Sequence, residues 1–336
     1  MKLGNVTLES RPVLIAAVGE RHAVSVQLAC ERAGMSTIPV TLCDVIEGGD
    51  ALLQEIRKAV ATLAQDTAAL LDVEGLDWLP PQPRPSKILG VAFNNMGIRK
   101  AAHVDPGVPN FFLKAPSCLT GHNKPIVIRK HYGETIPELE LAAVIGRRCK
   151  DISVEEARGV VFGYTIMNDV TSHGLKFGLD SLATTREPDL LRPHHLNWRR
   201  RTSDDDRDVY FVYHTRSKAS DTFGPCGPWL TTQDEISNPN DLPVKGWIDG
   251  QPFAEDNTAS YRFSVEEVIS EASRYFTLEP GDMICFGTSA KGVGDFPAGH
   301  RDVNMHQRTG TIDISIQGLG LLSNPIIHEW TGSADD

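Results

Sequence analysis

The sequence predicts an α+β protein, mostly β, with a small α/β unit ahead of a larger strand-rich domain, and three observations carry that expectation. The run PPQPRP at 80–85 is a break, because successive prolines favour an extended path that neither a helix nor a central strand can absorb. Behind it, short apolar runs bounded by turn residues dominate, which is the pattern of strands. Two Ser-x-x-Glu pairs, Ser153 with Glu156 and Ser264 with Glu267, mark helix starts, since each side chain can satisfy the other residue's free backbone N–H.

Ahead of the break, PVLIAAV (12–18) and TIPVTL (37–42) read as strands, and Leu52, Leu53, Ile56, Val60, Leu63 and Leu70 recur at helical spacing. This defines an N-terminal α/β domain over 1–83, with 84–336 as the main domain. There the strands are KILGVAF (87–93), PELELAAVIG (137–146), VVFGYTIMND (160–169), VYFVYH (209–214), KGWIDG (245–250), DMICFG (282–287) and GTIDISIQG (310–318). The segment 174–208 lacks sustained periodicity and carries His194-His195 and Arg199 to Arg201, which reads as a solvated surface loop or, since it begins five residues after Asp169, as a lid.

A formal net charge of −11 and a pI near 5.5 argue against a nucleic-acid or anionic-membrane partner. No stretch approaches the roughly 18 apolar residues that span a bilayer, and MKLGNVTLESR lacks a signal-peptide core, so a cytoplasmic location is expected. Six scattered cysteines form no disulfide framework or metal-binding spacing and read as reduced thiols.

Three acidic residues stand out against these apolar strands. Glu138 and Glu140 are two positions apart on a strand and project from one face, while Asp169 ends a second strand that can lie beside it. Unpaired carboxylates so placed would each cost several kcal/mol, at roughly the scale of an ion withdrawn from water, so a cation is needed. Oxygen donors without paired Cys or His favour a hard ion, magnesium first, with manganese or calcium as substitutes.

In its motifs, the chain from about Lys87 to Leu322 resembles the fumarylacetoacetate hydrolase family. The matches are Glu138-Leu-Glu140, Gly163-Tyr164…Asn168-Asp169-Val170, SKASDTFGPCGPWL (217–230), LEPGDMICFGT (278–288), Gly292–Gly294 and Gly318–Gly320, in the family's order. The resemblance implies a mixed β-sandwich roll and a homodimer. It also implies a cation held by Glu138, Glu140 and Asp169, on which a 2-oxo or 2,4-dioxo acid binds and loses a C–C bond by hydrolysis, in aromatic or sugar-acid catabolism. Lys218 would then stabilise the developing oxyanion, against the plainer reading of an ion pair with Asp221. Thr288 and Tyr164 would contact substrate. Two departures follow from the same comparison. The family's water-activating His and Glu positions hold Ile98 and Ala101, leaving His103 as the stand-in base, and the arginine four residues after the metal aspartate is His173, with Arg186 as its replacement. The missing dyad keeps a lyase or isomerase (decarboxylase, dehydratase or tautomerase) open, as well as a non-catalytic 2-oxo-acid-binding protein.

Overall fold

Strands buried on both faces need layers on both sides, and Leu139–Ile145, buried at every position, lies at the middle of such an arrangement. The computed structural model describes residues 1–99, 105–185 and 208–331. Its main sheet runs, in spatial order, through Leu71–Asp72, His22–Ser25, Arg11–Val18, Lys2–Leu8, Gly224–Thr232, Val161–Asn168, Leu139–Ile145, Met283–Thr288, Ile88–Ala92 and Asn110–Lys114. A second sheet of five strands orders Gln251–Asn257, Pro243–Ile248, Gly310–Ile316, Gly320–His328 and Ile126–Ile128. Apolar side chains from both sheets and from the helix Val265–Tyr275 meet in one core that includes Leu141, Val144, Ile166, Ile269, Ile284 and Ile314. The strand-rich α+β roll expected from the sequence is the fold observed.

The proline break lies inside this continuous structure. Lys2–Leu8 pairs antiparallel with Gly224–Thr232, Lys2 opposite Thr231 and Leu3 opposite Leu230, so the N-terminal strands extend the main sheet. The helix Leu42–Leu63 begins with a Thr41–Asp44 capping box and kinks at Gly49, whose φ of 64° suits a residue without Cβ. TIPVTL is therefore not a strand: Pro39 cannot donate to a ladder, and Thr41 is taken as the helix N-cap. Leu70 falls beyond the helix, which ends at Leu63, with a 3-10 turn at Thr67–Ala69 in between. Both Ser-x-x-Glu pairs form complete capping boxes, before Val154–Ala157 and Val265–Tyr275.

The segment after Asp169 is more regular at its ends than its sequence suggests. The helix His173–Gly178 is followed by an antiparallel ribbon of Ser181–Thr185 with Asp208–Val212. Residues 186–207, the middle of the expected lid, lie outside the described residues.

Candidate metal centre

The strand pair that carries the acidic residues is fixed at its ends by reciprocal hydrogen bonds. Leu139 pairs with Asn168 and Glu140 with Met167, Asp169 N donates to Glu138 O at 2.9 Å, and Glu138 N donates to Asn168 Oδ1 at 2.9 Å. Antiparallel register thus brings the start of one strand to the end of the other, and carboxylate oxygens of Glu138, Glu140 and Asp169 all lie within 4.8 Å of one another. Glu140 and Asp169 are 2% and 0% exposed. Glu140 Oε2 accepts a hydrogen bond from Gly287 N at 2.9 Å.

Two lysines enter the cluster. Lys218, from the helix Thr215–Ala219, donates to Glu138 Oε2 at 2.8 Å and to Asp169 Oδ2 at 2.5 Å, and lies 4.9 Å from the Phe112 ring centroid. Its ion pairs are with the cluster, and not with Asp221. Lys114, at the end of Asn110–Lys114 and wholly buried, donates to Asp169 Oδ1 at 2.6 Å, to Phe223 O at 3.0 Å and to Lys218 O. Nothing in the sequence reading singled it out, although a charged residue closing the run NFFLK is the same signal that marked Asp169.

The charges divide the cluster. Burial alone would raise the Asp169 carboxyl, but Lys114 and Lys218 outweigh it and hold it below the usual carboxylate range. Glu140 is pushed well above that range by burial, then by Asp169 and Glu138. Burial would lower Lys218, but Asp169, Glu138 and Glu140 outweigh it and raise the ammonium above its usual range. With all three carboxylates ionised, two ammonium groups would leave one negative charge, so a divalent cation, by favouring the charged form of Glu140, completes the set.

Seven buried side-chain atoms have no hydrogen-bond partner among the described residues. Three of them, Asn168 Nδ2, Ser217 Oγ and Ser289 Oγ, belong to residues next in sequence to Asp169, Lys218 and Thr288, and His214 and His300, which carry two more, lie within electrostatic reach of Lys218. Buried polar groups are normally satisfied, so water or a ligand would be needed to complete this network. The donor set, acidic oxygens with nothing softer, fits a divalent cation of the magnesium, manganese or calcium kind.

The other expected site residues divide. Thr288 faces Glu140 across the sheet, but its hydroxyl already accepts from Leu139 N at 3.0 Å and donates to Ser289 O at 3.2 Å. His173 opens the helix His173–Gly178 with Nδ1 3.8 Å from Glu134 Oε1, and burial lowers its imidazole below the usual range while Glu134, and after it Glu138, oppose the shift. Lys176, three residues on and missed by sequence, is half-buried within electrostatic reach of Glu138 and Asp169, burial lowering its ammonium. Tyr164 is not brought to the cluster: it lies five positions up its strand, on the order of 16 Å from Asp169, buried between Ala143 and Thr231 near Glu266 and Arg158. Its place in the motif is one of packing. His103 and Arg186 lie outside the described residues.

Fold and site together define a class: a mixed β roll whose central strand ends hold three clustered carboxylates paired with two lysines. The sequence matches the fumarylacetoacetate (FAA) hydrolase C-terminal family over residues 91–327, and the chain belongs to that family. Among its relatives, 2,4-didehydro-3-deoxy-L-rhamnonate hydrolase of Sphingomonas sp. (strain SKA58) is 30% identical over 284 residues, 84% of this chain and 87% of that protein. The mitochondrial oxaloacetate tautomerase FAHD2A of Bos taurus is 28% identical over 292 residues, 87% of this chain and 81% of that protein. A solved maleylpyruvate hydrolase from Sphingobium sp. SYK-6, in complex with manganese(II) and pyruvate, shares the fold with a TM-score of 0.67 at 22% identity, over 98% of this chain and 99% of that one. No helix among the described residues is long and apolar enough to cross a membrane.

Proposed function

We propose that this chain is a divalent-cation-dependent enzyme that forms the enolate of a 2-oxo acid and, as its main reaction, hydrolyses a C–C bond in a 2,4-dioxo acid of the acylpyruvate or fumarylacetoacetate kind. The observation that carries the reading is the buried cluster of Glu138, Glu140 and Asp169, whose charge Lys114 and Lys218 offset only in part. A cation held there, magnesium or its manganese or calcium substitute, would supply Lewis-acid polarisation of the 2-oxo group. Lys218 carries its ammonium beside the same point and would stabilise negative charge building on oxygen as the bond breaks. Lys176 and His173, on one short helix, offer donors for a second carboxylate of the substrate.

A second reading, enol–keto tautomerisation, is favoured by Ile98 in the helix Met96–Arg99, at the position where the resemblance leads one to expect a water-activating histidine. It needs the same enolate and no activated water, and the relation to an oxaloacetate tautomerase supports it. The test is turnover of acetylpyruvate and of oxaloacetate with added magnesium. Cleavage of the first supports the hydrolase, acceleration of enol–keto exchange in the second without cleavage of the first supports the tautomerase, and binding without either leaves a non-catalytic 2-oxo-acid-binding protein.

A further inference from the structure

The strand Asn110–Lys114 holds Lys218 at its backbone and at its side-chain tip. Phe112 and Lys114 are two positions apart and so share a face of that strand. Lys114 Nζ donates to Lys218 O, while the Lys218 ammonium lies over the Phe112 ring, 4.9 Å from its centroid. Gly90 stands directly opposite Phe112 in the antiparallel pair, and a Cβ there would come within 2.2 Å of Phe112 Cζ, so a glycine is needed for the ring to lie across the neighbouring strand. His214 closes a further side, its ring centroid 6.0 Å from that of Phe112 and its carbonyl accepting from Lys218 N at 3.1 Å. A half-buried phenylalanine so placed fills space, and packing is its plain role. The ammonium adds a second one. A cation within about 6 Å of a ring face is attracted to it, most strongly where water is excluded, and Lys218 is only 6% exposed.

We propose that Phe112 is the positioning residue for Lys218, its ring face keeping the ammonium beside the cluster once a cation occupies the carboxylates, which rests on the cation site and the oxyanion role proposed above. In the cation-free protein, Lys218 is held by Glu138 Oε2 at 2.8 Å and by Asp169 Oδ2 at 2.5 Å. A divalent ion on those carboxylates competes for the same oxygen lone pairs and repels the ammonium, and in a site poor in water that repulsion is weakly screened. The ring has no net charge. Its negative face attracts Lys218 and offers nothing that a hard, oxygen-seeking ion prefers. Phe112 thus supplies a hold on the ammonium that the cation leaves intact, which is the fixed placement that oxyanion stabilisation needs. The ring therefore matters little to Lys218 in the cation-free protein and most in the loaded one.

Replacing Phe112 by a trifluorinated phenylalanine keeps the ring's shape and weakens the negative charge of its face. In protein labelled with nitrogen-15 lysine, the Lys218 ammonium signal is identified by its loss in Lys218→Met, and NMR follows exchange of its protons with water. With magnesium bound, exchange should be about 10-fold faster in the fluorinated protein than in the parent, and without magnesium the two should agree within about threefold. Agreement in the presence of magnesium overturns the proposal. So does equal acceleration with and without magnesium, which is what packing alone gives. Turnover of acetylpyruvate is the second readout: kcat should fall about 10-fold while KM and magnesium affinity stay within about threefold. A parent that shows the magnesium-dependent difference but turns over no substrate loses the enzyme reading and keeps the placement of Lys218, whereas a parent that binds no magnesium loses both. Should the fluorinated protein fail to fold, Phe112→Leu, which removes the π face and stays apolar, decides by the same comparison with and without magnesium.

Discussion

At the residue scale, the cluster is held together by a charge balance that each member would upset differently. Lys114 is wholly buried and spends its three donors on Asp169, Phe223 and Lys218. Lys114→Met keeps the volume and removes the charge, leaving Asp169 buried with one ammonium. Breaking a buried pair in this way typically costs about 3–5 kcal/mol, so urea unfolding of the cation-free variant should give an unfolding free energy lower by that amount. A loss under about 0.5 kcal/mol would mean that Asp169 does not depend on Lys114. Glu138→Ala, Glu140→Ala and Asp169→Ala should each lower manganese affinity and turnover at least 10-fold, as read by calorimetry and assay, and effects within threefold would remove these residues from the cation site.

Glu140 gives the pH dependence. Its folded value lies above its usual one because burial, Asp169 and Glu138 disfavour the charged form. The folded, cation-free protein therefore holds a proton that the unfolded chain has released, and the associated stability is full below the usual carboxylate range and is lost as pH rises through the raised value. A cation reverses this by favouring the charged form and expelling the proton. Manganese affinity should rise with pH across that window, and calorimetry in buffers of different ionisation heat should report proton release on binding. Uptake, or no proton change, would contradict the assignment.

At the scale of elements, what the sequence made legible and what it hid follow from one distinction. Leu139–Ile145 and Val161–Asn168 were readable because continuous burial leaves a continuous apolar run, and carboxylates at their ends are conspicuous against it. The helix start at Thr41 was hidden because TIPVTL alternates like a strand, and only the Thr41–Asp44 capping pair contradicts that pattern. Lys114 was hidden for a different reason. Its importance arises from contacts more than 50 residues away, with Asp169 and with Lys218 O, which no local spacing encodes. Tyr164 was misjudged because its motif is shared by packing and chemistry alike. The boundary at residue 83 remains a proposal about folding, and its consequence is sharp. Lys2–Leu8 covers the edge of Gly224–Thr232, and Met1 reaches Thr232 and Glu235, so a fragment of residues 84–336 would expose an unpaired central strand. That fragment should aggregate on size-exclusion chromatography. A monodisperse, folded fragment would instead establish 84–336 as an autonomous domain.

At the scale of the whole molecule, the apolar surface is unevenly placed. Phe177, Leu179, Leu182 and Tyr213 are each more than half exposed, and they sit together where the helix His173–Gly178 meets the ribbon Ser181–Thr185, Tyr213 N donating to Asp180 O at 2.9 Å. A monomer rarely leaves so many large apolar side chains contiguous, and two-fold pairing of identical patches is the commonest way to cover one. A homodimer joined at this patch would also fix the helix that carries His173 and Lys176, so assembly and the proposed substrate contacts would be linked. Light scattering should then give about twice the 36.8 kDa chain mass at micromolar concentration. Leu179→Asp combined with Tyr213→Asp should shift the mass toward the monomer while leaving manganese binding in place, because Glu138, Glu140 and Asp169 all come from one chain and are held by its central strands. A parent protein of monomer mass would remove the dimer, and a variant that stays dimeric would move the interface to another face.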